Sequence, residues 1–157
     1  MFRSFIIILV ALVLSGTMSG ARADDTVLTI RSAGGVIRTF TMAELEAMPK
    51  VGFTTKTVWT EGPHQFTGPS LKAVLEAAGA QGTTISARAL NDYAIQIPFD
   101  SLEDGAPIIA TRINGAHFPR REKGPLWIVY PYDSARKYQA EIIYGRSIWQ
   151  LVDLSVD

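Results

Sequence analysis

Four segments of this 157-residue chain combine flat aromatic side chains with charges. They are Val58-Trp59-Thr60-Glu61-Gly62, Asn91-Asp92-Tyr93, Arg120-Arg121-Glu122-Lys123-Gly124-Pro125 and Tyr144-Gly145-Arg146-Ser147-Ile148-Trp149. Aromatic faces can stack on a planar ligand, while neighbouring carboxylates, amides and cations can satisfy its polar edge. Because binding residues collect on loops carried by a rigid scaffold, the group is a candidate site for a planar polar molecule. Structural readings compete at each position. Trp127 and Trp149 fall in apolar runs and read better as core, Asn91-Asp92 could be only a turn, and Arg120, Arg121 and Lys123 could be a solvated loop.

Other chemistries find little support. His64 and His117 are far apart and have no metal-ligand spacing with a neighbouring carboxylate, so both read as solvated loop histidines. There is no cysteine, which excludes thiol nucleophiles, thiolate metal sites, iron–sulfur clusters and covalently attached haem. No nucleophile elbow, P-loop or dinucleotide fingerprint is present.

The elements that must carry these segments are mostly strands. Thr26 to Ile30 and Val36 to Phe40 alternate around Gly34-Gly35 as a hairpin. Thr41 and Glu44 have capping-box spacing and open a short helix that Pro49 closes. Thr54 to Trp59 reads as a strand ended by Glu61-Gly62-Pro63. After Gly68-Pro69, the spacing of Leu71, Val74, Leu75 and Ala78 predicts a helix over Ser70 to Ala78, with Gly79 at its C-terminal end. Strands follow at Ile85 to Leu90, Tyr93 to Ile97, Ile108 to Ile113 and Leu126 to Pro131, with turns at Asn91-Asp92 and Asn114-Gly115. Arg136 to Tyr144 is compatible with helix or loop, and Ile148 to Val156 reads as a closing strand. The balance predicts an α+β domain, mainly β, without internal repeats.

At the N-terminus, Arg3, the apolar run Phe5 to Leu14 and the small-residue site Ala21-Arg22-Ala23 have the form of a cleavable signal peptide over residues 1–23. The apolar run is too short to cross a bilayer. Residues 24–157 then form a single exported, periplasmic domain of a size able to bury its own core. Lys and Arg number 15 against 15 Asp and Glu, so nothing points to nucleic acid or an anionic membrane as a partner.

Phe66-Thr67-Gly68-Pro69-Ser70-Leu71, Leu75 to Ala80, Asn91-Asp92-Tyr93, Asn114-Gly115 and Lys123-Gly124-Pro125 followed by Val129-Tyr130-Pro131 resemble, in order, the molybdopterin-binding domain of the sulfite oxidase family. The match covers about Val27 to Val156. In that family a loop cysteine ligates molybdenum, and aligning on Glu61-Gly62 puts Trp59 at its position. An indole has no basic lone pair to offer a metal, so Trp59 would replace a coordination point with a stacking surface.

The closer resemblance is to small exported members without the metal, some of which bind pterins and regulate membrane-bound enzymes that make or degrade cyclic di-GMP. It implies a pterin ligand and a possible periplasmic domain of a membrane signalling protein as partner, with no catalytic residues and no metal. The ligand-binding residues expected on this basis are Trp59, Thr60, Glu61, Asn91, Asp92, Tyr93, Arg121, Lys123, Gly124, Arg146 and Ser147. Asp92 or Glu61 would accept from the amino-pyrimidinone edge, Trp59 and Tyr93 would stack, and Arg121, Lys123 or Arg146 would donate to ring oxygen and nitrogens. The alternative is a molybdopterin-dependent oxidoreductase or oxidoreductase subunit holding its metal through the cofactor's own dithiolene. A purely structural role, with the aromatic region serving as a protein interface, is the third reading.

Overall fold

The computed structural model describes residues 25–157; the expected signal peptide lies outside the described residues. Strands outweigh helices, as the alternating sequence patterns predict. The main sheet has five strands in the order β2-β1-β10-β5-β6: β1 (Thr26–Ser32), β2 (Gly35–Thr41), β5 (Thr84–Ala89), β6 (Ala94–Pro98) and β10 (Leu151–Val156). The chain's last strand sits in the middle, parallel to β1 and antiparallel to β5. Asp153 of β10, only 4% exposed, is held there by Arg31 Nε of β1 at 2.6 Å and Arg88 Nη2 of β5 at 3.6 Å. A buried carboxylate is tolerated because cations on both neighbouring strands face it.

A second, three-stranded sheet contains β3 (Val51–Lys56), β4 (Pro63–Gly68) and β8 (Arg112–Ile113), and a third pairs β7 (Ile108–Ala110) with β9 (Trp127–Val129). Gly68 is needed where β4 meets β7, since any Cβ there would collide with the Ile109 carbonyl. Helix α1 (Met42–Ala47) starts on the expected capping box, with Thr41 Oγ1 accepting from Glu44 N–H and the Glu44 carboxylate accepting from Thr41 N–H. Helix α2 (Leu71–Ala77) buries Leu71, Val74 and Leu75, is capped by Ser70, and is followed by Gly79 at φ +69°. Those side chains join Leu28, Ile30, Phe40, Ile85, Ile97 and Leu154 in one hydrophobic cluster.

Several sequence expectations are corrected. Instead of Thr54 to Trp59, the strand is Val51–Lys56, which leaves Trp59 in a loop. His64, expected in a loop, lies on β4, which pairs with β3 along its whole length. The run Ile108 to Ile113 splits at Thr111 between two sheets. The closing strand begins at Leu151, because Gln150 adopts φ +51° and breaks the run. Arg136 to Tyr144 resolves into a 3-10 turn at Arg136–Gln139 and a short helix α3 (Glu141–Gly145).

Candidate functional site

The loop between β3 and β4 is anchored at its base by a reciprocal pair. Lys56 N–H donates to Asp133 Oδ2 at 2.7 Å, and Asp133 N–H donates to Thr55 Oγ1 at 3.0 Å. Inside the loop the Thr57 and Thr60 hydroxyls are 2.7 Å apart, and Trp59 N–H donates to Thr57 Oγ1 at 3.1 Å. These bonds satisfy loop groups that would otherwise compete for partners, and they fix where Trp59 leaves the backbone.

The Trp59 ring is half-buried and meets four other rings edge-on: Trp127 at 5.9 Å, Tyr132 at 6.3 Å, Tyr144 at 6.0 Å and Trp149 at 5.6 Å. Steep interplanar angles of 64–83° put ring edges against faces, the arrangement the aromatic quadrupole favours. Two of the cluster's polar atoms are paired internally, through Ser147. Trp127 Nε1–H donates to Ser147 O at 3.1 Å, Tyr132 O–H donates to Ser147 Oγ at 2.6 Å, and Ser147 Oγ–H donates to Ile143 O at 2.8 Å. Burial pushes the Tyr130 phenol up to about 12 and the Tyr132 phenol higher still, so both remain neutral.

Beside Trp59 opens a cleft of about 570 Å³, within the size range of small-molecule sites. Three elements line it: Val58 and Trp59 from the β3–β4 loop; Ala89, Asn91 and Tyr93 from the end of β5 and its turn; and Glu141, Tyr144, Gly145, Ser147, Ile148 and Trp149 from α3 and the segment after it. Trp149 is 36% exposed and belongs to this wall, which corrects its expected place in the core; Trp127, fully buried, is core as expected.

A second cleft of about 470 Å³ holds Thr60, His64, Asn114, His117, Arg121, Glu122, Lys123 and Trp127 among its lining residues. Trp127 is shared ground, lining this cleft while packing on two rings of the first. Lys123 Nζ stands 5.4 Å from the Trp149 ring and 5.9 Å from Trp127. Neither histidine is simply solvated. His64 bonds Asn114 Nδ2 and Glu61 O, both at 2.9 Å, and His117 bonds Arg112 at 2.9 Å and Thr111 O at 3.2 Å.

The residues expected to form one site therefore divide. Trp59, Asn91, Tyr93 and Ser147 come together in the first cleft, whereas Thr60, Arg121 and Lys123 line the second. Glu61, Asp92, Gly124 and Arg146 line neither. Asp92 adopts φ +66° in the turn and pairs with Arg88 at 2.9 Å. Gly124 has a packing role, since a Cβ would strike the Phe118 carbonyl. Glu141 was missed: its segment carries no pattern distinguishing helix from loop, and only the fold brings it to the cleft.

The model of a family described as "Oxidoreductase molybdopterin binding domain" matches residues 16–138. The chain belongs to that family. Among solved structures, the sulfane dehydrogenase SoxCD from Paracoccus pantotrophus is similar to this molybdopterin-binding domain with a TM-score of 0.63 and 18% identity, over 82% of this chain and 37% of that one. The chain thus spans little more than a third of that relative's length, and the likeness is one of fold. No curated protein matches.

At the coarse level this is an oxidoreductase-type molybdopterin-binding domain, and that family match favours the oxidoreductase alternative over the signalling reading. The donor set, however, does not fit a protein-anchored molybdenum. The chain has no thiol, and among the described residues no group of three or more His, Asp or Glu side chains is gathered for a metal. Trp59, which the sequence resemblance places at the family's cysteine position, is an indole packed on four rings.

Proposed function

We propose that the first cleft binds a planar heterocycle of the pterin class and that the protein is a binding module, with no protein ligand to a metal. The observation that carries this reading is Trp59, an aromatic ring on the cleft wall at the aligned coordination point, locked by its neighbours and its loop. Tyr93, Tyr144 and Trp149 extend the stacking surface around it. In this reading the domain is exported to the periplasm by cleavage after Ala23 and reports ligand occupancy to a membrane-bound signalling partner. Such reporting requires that partner to bind the filled and empty forms with different affinity.

Calorimetric titration with oxidised and reduced pterins tests the binding. Heat with at least one of them, weakened by Trp59→Ala, is expected; a flat titration across the panel contradicts it. N-terminal sequencing of exported protein is expected to begin at Asp24, and retention of residues 1–23 would overturn the export reading.

The family match favours a second reading, a molybdopterin-dependent oxidoreductase or oxidoreductase subunit. Its signature is molybdenum near one per chain in protein made by cells that synthesise the cofactor. The binding reading predicts substoichiometric metal in the same preparation.

A further inference from the structure

We infer that Glu141 selects the cleft's ligand by its hydrogen-bonding edge, favouring 2-amino-4-oxo heterocycles over 2,4-dioxo heterocycles of the same shape. The inference rests on the pterin reading of the first cleft and adds what decides between flat ligands that stack equally well.

Most of the lining is indifferent to a ligand's edge. Trp59, Tyr93, Tyr144 and Trp149 offer ring surface, and Val58, Ala89 and Ile148 offer aliphatic surface. Ser147 Oγ is already engaged, accepting from Tyr132 and donating to Ile143 O. Asn91 Oδ1 accepts from Tyr93 N–H at 3.3 Å, which leaves the Asn91 amide nitrogen as a donor. Glu141, the first residue of α3, brings the one carboxylate among the lining residues. It makes no ion pair among the described residues. Asp92 and Glu61, the acceptors expected from the sequence, both lie outside the cleft, and Asp92 is paired with Arg88.

A carboxylate accepts two parallel N–H bonds, and such charge-assisted pairs are the strong ones. An amino-pyrimidinone presents that pair through its ring N–H and exocyclic amino group. A pyrimidinedione replaces the amino group by a carbonyl, which turns a lone pair towards the carboxylate and loses one bond while keeping the same stacking area. Discrimination between analogues differing by one hydrogen-bonding group is large when the site's own group is left unpaired by the wrong one.

The test is calorimetry of the full-length protein with pterin and with lumazine, its dioxo counterpart, for the parent, Glu141→Gln and Glu141→Ala. The parent is expected to prefer pterin by about tenfold or more. Glu141→Ala should bring the ratio near one. Glu141→Gln should shift it to or past one in favour of lumazine, because its amide accepts from the ring N–H and donates to the lumazine carbonyl. The melting temperature should be unchanged in both. Pterin binding with the same preference in the variants overturns the role of Glu141 and leaves the cleft reading intact. Binding of neither compound by the parent overturns both.

Discussion

Trp59 is the residue on which the proposed binding turns, and its setting separates two effects of removing it. Its ring packs on Trp127, Tyr132, Tyr144 and Trp149, so Trp59→Ala removes core contacts as well as cleft wall. A half-buried tryptophan should cost about 2–3 kcal/mol of stability on truncation, measurable by urea unfolding, while Trp59→Phe should keep most of that and still stack. The hydroxyl relay below it is a separate prediction: Tyr132→Phe should cost about 1 kcal/mol in the same assay, through loss of the bond to Ser147 Oγ. A neutral result would mean the relay is not formed. At this scale legibility was uneven. Trp59 was legible because its position could be aligned on Glu61-Gly62, and Asn91 and Tyr93 because turn chemistry put them on a loop. Trp149 was misread as core because Ile148 to Val156 looks like an unbroken strand, whereas the positive φ of Gln150 ends that run. Glu141 carried no local signal at all.

At the scale of elements, the cleft depends on short segments held by longer ones. The closing strand β10 is pinned between β1 and β5, and its Asp153 is bonded by Arg31 and approached by Arg88. Asp153→Asn should lower unfolding stability by about 1–2 kcal/mol, since a buried amide cannot satisfy both guanidinium groups as a carboxylate does; an unchanged urea midpoint would show the pairing to be inert.

Helix α1 is tied to β8 by Glu46, whose carboxylate meets Arg112 Nε at 2.6 Å and lies 3.6 Å from His117. The Arg112 hydrogen bond holds the Glu46 carboxyl below its ordinary value of 4.5. A lowered carboxylate contributes stability above the ordinary value and loses it as pH falls through the folded one. Glu46→Gln should therefore lower the melting temperature near neutral pH, with the difference from the parent shrinking as pH drops below about 4.5. A constant difference across that range would assign the effect to packing. Capping and hairpin signals located α1, α2 and the β1–β2 and β5–β6 hairpins because those elements are set by local chemistry. The β3–β4 pairing escaped notice because Pro63, His64 and Gln65 lack the β-branched pattern, and β4 is specified by its neighbours rather than by its own residues.

The whole molecule joins a fold legible in ordered weak motifs to a site that only the assembled sheets create. The order of sheets could not be read from the chain, because β10 crosses the full sequence to lie beside β1. That crossing brings the segment before β10, with Trp149, towards the β3–β4 loop and the β5–β6 turn, so three distant segments share one cleft. The same assembly separates the cations at Arg121 and Lys123 into the second cleft, a division that no spacing in the sequence foretells. A ligand filling the first cleft should stabilise the entire domain by mass action, by about 2.7 kcal/mol at a hundredfold excess over Kd.

The most direct test is calorimetric titration of pterin into full-length protein whose molybdenum content has been measured on the same sample. Saturable heat for one ligand per chain in metal-free protein, reduced about tenfold or more by Trp59→Ala, is the predicted result. No heat with pterin, from protein carrying molybdenum near one per chain, would contradict the account and leave a cofactor-held metal as the occupant.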